Sequence, residues 1–390
     1  MPAPRWLSTG ACSRREARAW PRMTLHLGVD GRELQGRPTG TGRYLRNLLR
    51  EWRDRDARIV IFFNGRIPDD PVLNGSGFET RAVGPGRRGV VWQEWLLPRA
   101  ARTEKLDVFF SPAYACPLSF DVPRVTTVHD LSFWSLPQDF SPREAFRRRL
   151  LVGASIAASA AIIAVSEFTR REIAAWHPDA ACRVHVIPHG LDDDLQQGPA
   201  RSAARAQLGI EAPLLLSVGA ILNRRRLPTL LGALTLLRRV HPGTRLYVVG
   251  ENRTHPQIDF TAMLRARGLE DAVHLLGFVD EERLAAYYAA ADIAVSLSEY
   301  EGFGLPVLEA MARGVPVVAS RRPAHDELFG RAALLADPSD ESEIANVLSH
   351  LLDETHAREA CIESGHALCN DYSWKRAADA HWRVLEAATT

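Results

Sequence analysis

A chain of 390 residues, 46% hydrophobic and 24% charged, has room for two domains, each with its own core. Its formal net charge of +1 supplies no basic field, so no nucleic-acid partner is expected. The longest uncharged run, Leu150 to Val165, is too short to cross a bilayer and reads as a buried helix leading into a strand.

Strand-like runs alternate with helical patterns along the chain, the order expected of parallel sheets covered on both faces. Residues 1–22 are rich in arginine and proline, lack the apolar core of a secretion signal and read as a disordered tail. A first strand follows at Leu25–Val29, starting from Met23. The run Gly36-Arg37-Pro38-Thr39-Gly40-Thr41-Gly42-Arg43-Tyr44 links it to a helix over Tyr44–Trp52. This run lacks the third glycine of a nicotinamide fingerprint, and Phe62-Phe63-Asn64, ending the strand from Arg58, supplies no acid. A dehydrogenase is therefore a poor fit. Gly89 to Arg99 is aromatic and apolar with arginines nearby. It reads as a helix packed into the first domain, with a membrane-touching patch as the alternative.

Further strands fall at Asp107–Phe110, Val125–Val128, Ile162–Val165 and Val184–Ile187, with a long helix over Pro142–Ala160. His129 and Asp130 lie just past the carboxyl end of a strand, where ligands gather in such sheets. A capping histidine and a turn aspartate are the structural alternatives. Ser166 reads as the N-cap of the next helix. Asp192-Asp193-Asp194 has the look of an acidic metal motif, but a solvated turn is the preferred reading and no metal is expected. The polar stretch 196–212 reads as a hinge between domains over 23–195 and 213–372, with a final helix over 373–390.

In the second half, strands are expected at Leu214–Val218, Arg245–Val249, Val273–Leu276, Ile293–Leu297 and Val315–Ala319. Helices are expected over Pro228–Val240, Glu281–Ala290, Pro306–Arg313 and Glu341–Asp353. After the first of these strands, Gly219 leads to Arg224, Arg225 and Arg226 just before a helix start. Cations there oppose the helix dipole, a mismatch that points to a bound anion. After the strand ending at Leu297 comes Ser298-Glu299-Tyr300-Glu301-Gly302-Phe303-Gly304-Leu305-Pro306, then Glu309 on the following helix. Glycines admit a close ligand, proline suits a helix start, and the start itself favours an anion. Glu301 and Glu309 are out of place beside a phosphate unless they accept hydrogen bonds from hydroxyls of the same ligand. A nucleotide-sugar has that layout: a hydroxyl-rich sugar, a diphosphate, then a ribose diol.

This segment resembles the signature of the retaining nucleotide-sugar glycosyltransferases of family four, which have the two-domain GT-B fold; the resemblance covers roughly residues 24–388. It implies two doubly wound domains facing across a cleft, with the last helix crossing back onto the first. It also implies that Glu301 meets the donor sugar, Glu309 the ribose, and Arg224 and Arg225 the diphosphate, with Gly302, Phe303, Gly304 and Leu305 closing around the donor. Arg225 stands where the family usually has lysine, a fork in place of a point charge. A family His-Asp pair matches His129 and Asp130 and places His129 at the reacting end of the sugar. The family's cleft loop matches the Gly40–Tyr44 region and adds Gly42 to the donor set. His189 stands where the family's Pro-Asn-Gly loop has asparagine.

The function implied is retaining, metal-independent transfer of a hexose from a nucleoside-diphosphate sugar to a hydroxyl of a glycan or lipid-linked glycan. Mannose from GDP-mannose is the first donor to try and UDP-glucose the second. A catalytically silent nucleotide-sugar-binding subunit is the alternative. Phosphorylases of the same architecture carry pyridoxal phosphate on a lysine, but neither Lys105 nor Lys375, the only lysines, lies in a pocket motif. No cofactor is expected. Cys12, Cys116, Cys182, Cys361 and Cys369 are scattered without a disulfide framework, as in a reducing cytosol. The expected place is the cytoplasm, with peripheral contact at the inner membrane face left open.

Overall fold

The computed structural model describes residues 24–36, 39–75, 77–86, 89–192, 195 and 198–389. The expected tail over 1–22, Met23, Arg37, Pro38, Asp193, Asp194 and Gln196 lie outside the described residues. The chain divides into two compact units. One takes the chain up to Leu131, Arg148–Pro188 and everything from Trp374; the other takes Ser132–Arg147 and His189–Ser373.

In the first unit, β1 (Leu25–Asp30), β2 (Ala57–Asn64), β3 (Phe78–Val83), β4 (Val108–Ser111), β5 (Arg124–Val128), β6 (Ala161–Ala164) and β7 (Val184–Val186) form one sheet. Its order is β3-β2-β1-β4-β5-β6-β7 and all its pairings are parallel. Parallel strands need crossovers, and the helices Gly40–Trp52, Pro142–Ala158 and Glu167–Trp176 serve as such. With both faces covered, the central strands read as unbroken apolar runs; Ile59 through Phe63 are all buried. Ser166 caps the helix Glu167–Trp176 as expected, its Oγ accepting from the Thr169 N–H at 3.1 Å. Gly89 to Ala101 is one helical stretch with a π turn over Trp92–Leu96. Trp92 and Leu97 are buried in it, while Trp95 on the other side is 75% exposed.

The last helix, Trp374–Ala387, packs within the first unit, as the resemblance implies. The Trp52 indole N–H donates to the Ala378 carbonyl at 3.2 Å, and the Trp52 and Trp382 ring centroids are 5.8 Å apart. His381 Nδ1 lies 2.7 Å from the Ala377 carbonyl, so it carries the proton, and Nε2 accepts from the Tyr44 hydroxyl at 2.6 Å. Burial pushes His381 down to about 4, with Ala377 opposing and His129 adding to the effect. An unfolded histidine titrates near pH 6.5, so below that the unfolded chain takes a proton that the fold refuses until about pH 4. Stability is therefore complete above that range and falls on acidification, by up to about 1.4 kcal/mol per pH unit from this group. His381→Phe is expected to flatten that fall, read as the urea-unfolding free energy between pH 7 and 5.

In the second unit, β8 (Leu214–Val218), β9 (Arg245–Val249), β10 (Val273–Gly277), β11 (Ile293–Ser296), β12 (Val317–Ser320) and β13 (Leu334–Ala336) form a sheet in the order β10-β9-β8-β11-β12-β13. Its pairings are again parallel. The stretch expected to be a hinge carries the helix Arg201–Leu208 within this unit. Its alanines, arginines, glutamine and leucine are good helix formers, and Gly209 ends it in the left-handed region at φ 63°. Arg205 ties it to the Asp292 carboxylate at 3.1 Å. Two parallel sheets, each layered with helices, constitute a GT-B-like fold. Among the described residues no helix is long and apolar enough to cross a membrane.

Candidate functional site

The carboxyl ends of β8 and β11 meet in the second unit, since these strands are paired neighbours. At the end of β8, Gly219 has φ 120°, and a Cβ there would lie 2.3 Å from Arg225 Nη1. The space of the missing side chain is filled by a guanidinium folded back over the turn. Arg225 Nη1 donates to the Val218 carbonyl at 2.7 Å, and Nη2 lies 3.2 Å from Glu301 Oε1. The backbone of the arginine loop is braced as well: the Glu299 N–H donates to the Arg224 carbonyl at 2.7 Å, and Asn223 Oδ1 accepts from the His255 N–H at 2.7 Å. Arg226, left-handed at φ 51°, pairs with Glu299.

The signature turn follows β11. Gly304 has φ 107°, and the helix Leu305–Ala312 begins there, one residue before the expected start at Pro306. Among the described residues the N–H groups of Phe303, Gly304 and Leu305 meet no protein acceptor, whereas Val307 donates to the Gly304 carbonyl. These amides, at the positive end of the helix, form the anion-attracting edge of the site. Phe303 turns its ring inward against His189, Tyr372 and Phe329, so only its backbone faces the turn.

Glu301 is held at Oε1 by Arg225 and by the Ser298 hydroxyl, which donates at 2.7 Å. Burial alone would raise this carboxyl. Arg225, then Arg224, Ser298 and His325 outweigh it and hold Glu301 below the ordinary carboxylate range. His325, with no assigned role in the sequence reading, lies under the turn with Nδ1 2.8 Å from Ser320 Oγ. Burial pushes it down to about 4, against Glu301 and with Arg225. Glu309 is buried on the helix that follows, where the Tyr288 hydroxyl shares its proton between Glu309 Oε2 at 3.4 Å and the Pro306 carbonyl at 3.3 Å.

At the carboxyl ends of β9 and β10 lies an open groove of about 580 Å³, lined among others by Ile221, Glu251, Asn252, Gln257 and Gly277. Sequence reasoning missed it. The signal available was Gly250, whose φ of 150° and close approach to the Gly219 carbonyl only glycine accommodates. Among the described residues no group of three or more histidine, cysteine or acidic side chains is placed to hold a metal.

Arg224, Arg225, Glu301, Gly302, Phe303, Gly304, Leu305 and Glu309 thus all belong to the second unit, whereas Gly42 and His129 belong to the first. Gly42 lies inside the helix Gly40–Trp52, not in a loop. Its N–H is taken by the Thr39 cap at 3.1 Å, and a Cβ would lie 2.6 Å from the Glu33 carbonyl. Close packing therefore constrains this position to glycine. His129 follows β5 and is 9% exposed, with Nε2 2.8 Å from the Pro112 carbonyl, which makes Nε2 the protonated nitrogen. Burial lowers its pKa, with Pro112 and Asp130 opposing. The Tyr44 ring stands edge-on to it at 5.0 Å, and the Tyr114 hydroxyl donates to Asp130 Oδ2 at 2.9 Å.

Comparison with known proteins agrees with this architecture. Residues 200–367 match the family model described as glycosyl transferases group 1, and residues 38–195 match that of glycosyltransferase family 4. The O-antigen chain mannosyltransferase B of Escherichia coli is 31% identical over 290 residues, covering 73% of this chain and 74% of that protein. The mannosylfructose-phosphate synthase of Agrobacterium fabrum is 34% identical over 175 residues, 41% of this chain and 38% of that one. Among solved structures, HepE of Anabaena in complex with UDP and glucose superposes with a TM-score of 0.73 at 19% identity, covering 94% of this chain and all of that one, a likeness of fold. The chain is a glycosyltransferase and belongs to the group 1 glycosyltransferases of family 4.

Proposed function

We propose that the second unit binds a nucleoside-diphosphate sugar and that the chain transfers its hexose, with retention and without a metal, to a hydroxyl of a glycan or glycolipid. The observation that carries this reading is the half-buried Glu301 carboxylate shared by Arg225 and Ser298, beside a helix start whose first amides meet no acceptor among the described residues. A diphosphate entering there takes the guanidinium and the amides, which frees Glu301 to accept from sugar hydroxyls. As the glycosidic bond breaks, negative charge grows on the leaving diphosphate, and Arg224, Arg225 and the helix start stabilise it. The nucleoside fits the groove at the ends of β9 and β10, where Asn252, Gln257 and Glu251 offer polar contacts, and Glu309 serves the ribose. His129 is assigned to the reacting end of the sugar. The acceptor hydroxyl attacks on the face that the diphosphate leaves and passes its proton to the departing phosphate oxygen.

The names of the relatives favour mannose as the hexose, and the UDP complex of HepE keeps UDP-glucose in the comparison. A panel of nucleotide-sugars, scored for hydrolysis and for transfer to glycan and glycolipid acceptors, is expected to show turnover with GDP-mannose. Arg225→Ala is expected to lower that turnover about 100-fold and to weaken nucleoside-diphosphate binding. A protein that binds no donor of the panel ends this reading. One that binds a donor tightly yet neither hydrolyses nor transfers it is the silent subunit.

A further inference from the structure

We propose that His325 is a positioning residue for Glu301, acting through Ser320 and Ser298 to aim the carboxylate that holds the donor sugar. The inference rests on the reading of the second unit as a nucleotide-sugar site.

Three hydrogen bonds connect His325 to Glu301 by way of Ser320 and both the backbone carbonyl and the hydroxyl of Ser298. Ser298, just past β11, donates its hydroxyl to Glu301 Oε1 at 2.7 Å. Ser320, the last residue of β12, donates its own hydroxyl to the Ser298 carbonyl. His325, in the short helix Pro323–Phe329, brings Nδ1 to 2.8 Å from Ser320 Oγ. The single hydroxyl hydrogen of Ser320 is spent on Ser298, so Nδ1 must be the donor to Ser320, and this fixes the tautomer. β11 and β12 are paired with Ser296 opposite Ala319, so the relay bridges the ends of two adjacent strands. Ser298, Ser320 and His325 are each 2% exposed or less, and water cannot stand in for a missing member.

The other imidazole nitrogen shows what the histidine is not for. Nε2 faces Gly304, 3.3 Å from where a Cβ would sit, and has no hydrogen-bond partner among the described residues. A buried acceptor without a donor is destabilising. Support for Gly304 does not require it either, because the Phe329 ring reaches the same point at 3.0 Å. An apolar side chain of similar size would fill the space without an orphaned nitrogen. What it would lack is the Nδ1–H that holds Ser320 on Ser298, and through Ser298 the direction of Glu301. The charged groups that bear on His325 are Glu301 and Arg225, and with burial dominant the imidazole stays neutral at neutral pH, so the relay does not switch there.

The test compares His325→Leu, which fills the volume and cannot donate, with His325→Asn, whose amide N–H can take the place of Nδ1–H. For His325→Leu, transfer from the preferred nucleotide-sugar should fall about tenfold in kcat, the loss expected from one buried hydrogen bond. Its affinity for the free nucleoside diphosphate should stay within about twofold, since no phosphate contact is touched, and its Tm should hold, since the orphaned Nε2 goes together with the Nδ1 bond. His325→Asn should recover most of the rate. The proposal is overturned if His325→Leu turns over like the parent. It is equally overturned if nucleotide affinity and Tm drop with the rate and asparagine restores none of them, for then the histidine is a brace of the fold. Glu301→Gln, run alongside, separates the two levels. Full turnover in that variant removes the donor-site reading itself, whereas a slow Glu301→Gln beside a fast His325→Leu removes the relay alone.

Discussion

Replacing Glu301 by glutamine is expected to slow hexose transfer by two to three orders of magnitude, roughly 3–4 kcal/mol of transition-state stabilisation. Binding of the free nucleoside diphosphate should be nearly unchanged. The asymmetry follows from the geometry. The phosphate-facing groups, Arg225 and the amides of the turn, remain in the variant, whereas the carboxylate that accepts from sugar hydroxyls is gone. Glutamine keeps a carbonyl oxygen for Ser298 and Arg225, which share Oε1, but puts an N–H₂ donor where Oε2 stood, so the acceptor left for sugar hydroxyls is lost. Glu301 is held below the ordinary carboxylate range, and its charged form is the working one. The acid limb of the parent rate should therefore lie below about pH 4.5 as far as this group is concerned. Calorimetric titration with the nucleoside diphosphate, paired with initial rates on the nucleotide-sugar, checks both halves. A variant that loses nucleotide affinity and rate in equal measure would place Glu301 on the phosphate and not on the sugar.

Gly250→Ala is expected to be the most destabilising single methyl in the second unit, at about 4 kcal/mol or more. A Cβ there would lie 2.1 Å from the Gly219 carbonyl oxygen, a backbone atom with no flexible end to swing aside, and its φ of 150° is foreign to alanine. The ends of β8 and β9 would have to part, taking the arginine loop with them. Gly209→Ala provides the contrast. It also has positive φ, at 63°, but no atom within 4 Å of the added carbon, so only the backbone strain of about 1 kcal/mol applies. Urea unfolding of the two variants beside the parent measures the difference. Equal losses would mean that the strand ends separate at little energetic expense.

What could be read from the sequence follows the locality of the signal. Strands buried on both faces, such as Ile59 to Phe63, announce themselves as apolar runs. β3 and β13 do not: Phe78–Val83 is half-exposed and carries the ion-paired Glu79 and Arg81, and Leu334–Ala336 is three residues long. Both lie at sheet edges, where only one neighbour constrains the pattern. Within 196–212, the stretch expected to be a hinge, polar composition hides the helix Arg201–Leu208, though its residues favour one. In the site, glycines, arginines and acids clustered within a few residues pointed to Arg225, Glu301 and the Gly302–Gly304 turn. Ser320 and His325 gave no such signal. They lie some twenty residues beyond Glu301, and only the pairing of β11 with β12 places them under it. Gly42 is ambiguous in the sequence for a different reason: a Cβ there would lie 2.6 Å from the Glu33 carbonyl, so close packing at a helix start and a nearby ligand ask for the same residue.

The placement of the helix Trp374–Ala387 sets an order of events at the ribosome. The sheet that is synthesised first lacks Trp374, Trp382 and Leu385 from its apolar interior until that helix has been made. The first unit thus cannot finish its core when its own sheet is made, against the usual tendency for the N-terminal domain to fold first. Throughout elongation it carries a half-built layer whose Tyr44 and Trp52 still await their cover, and this is the surface that a chaperone would meet.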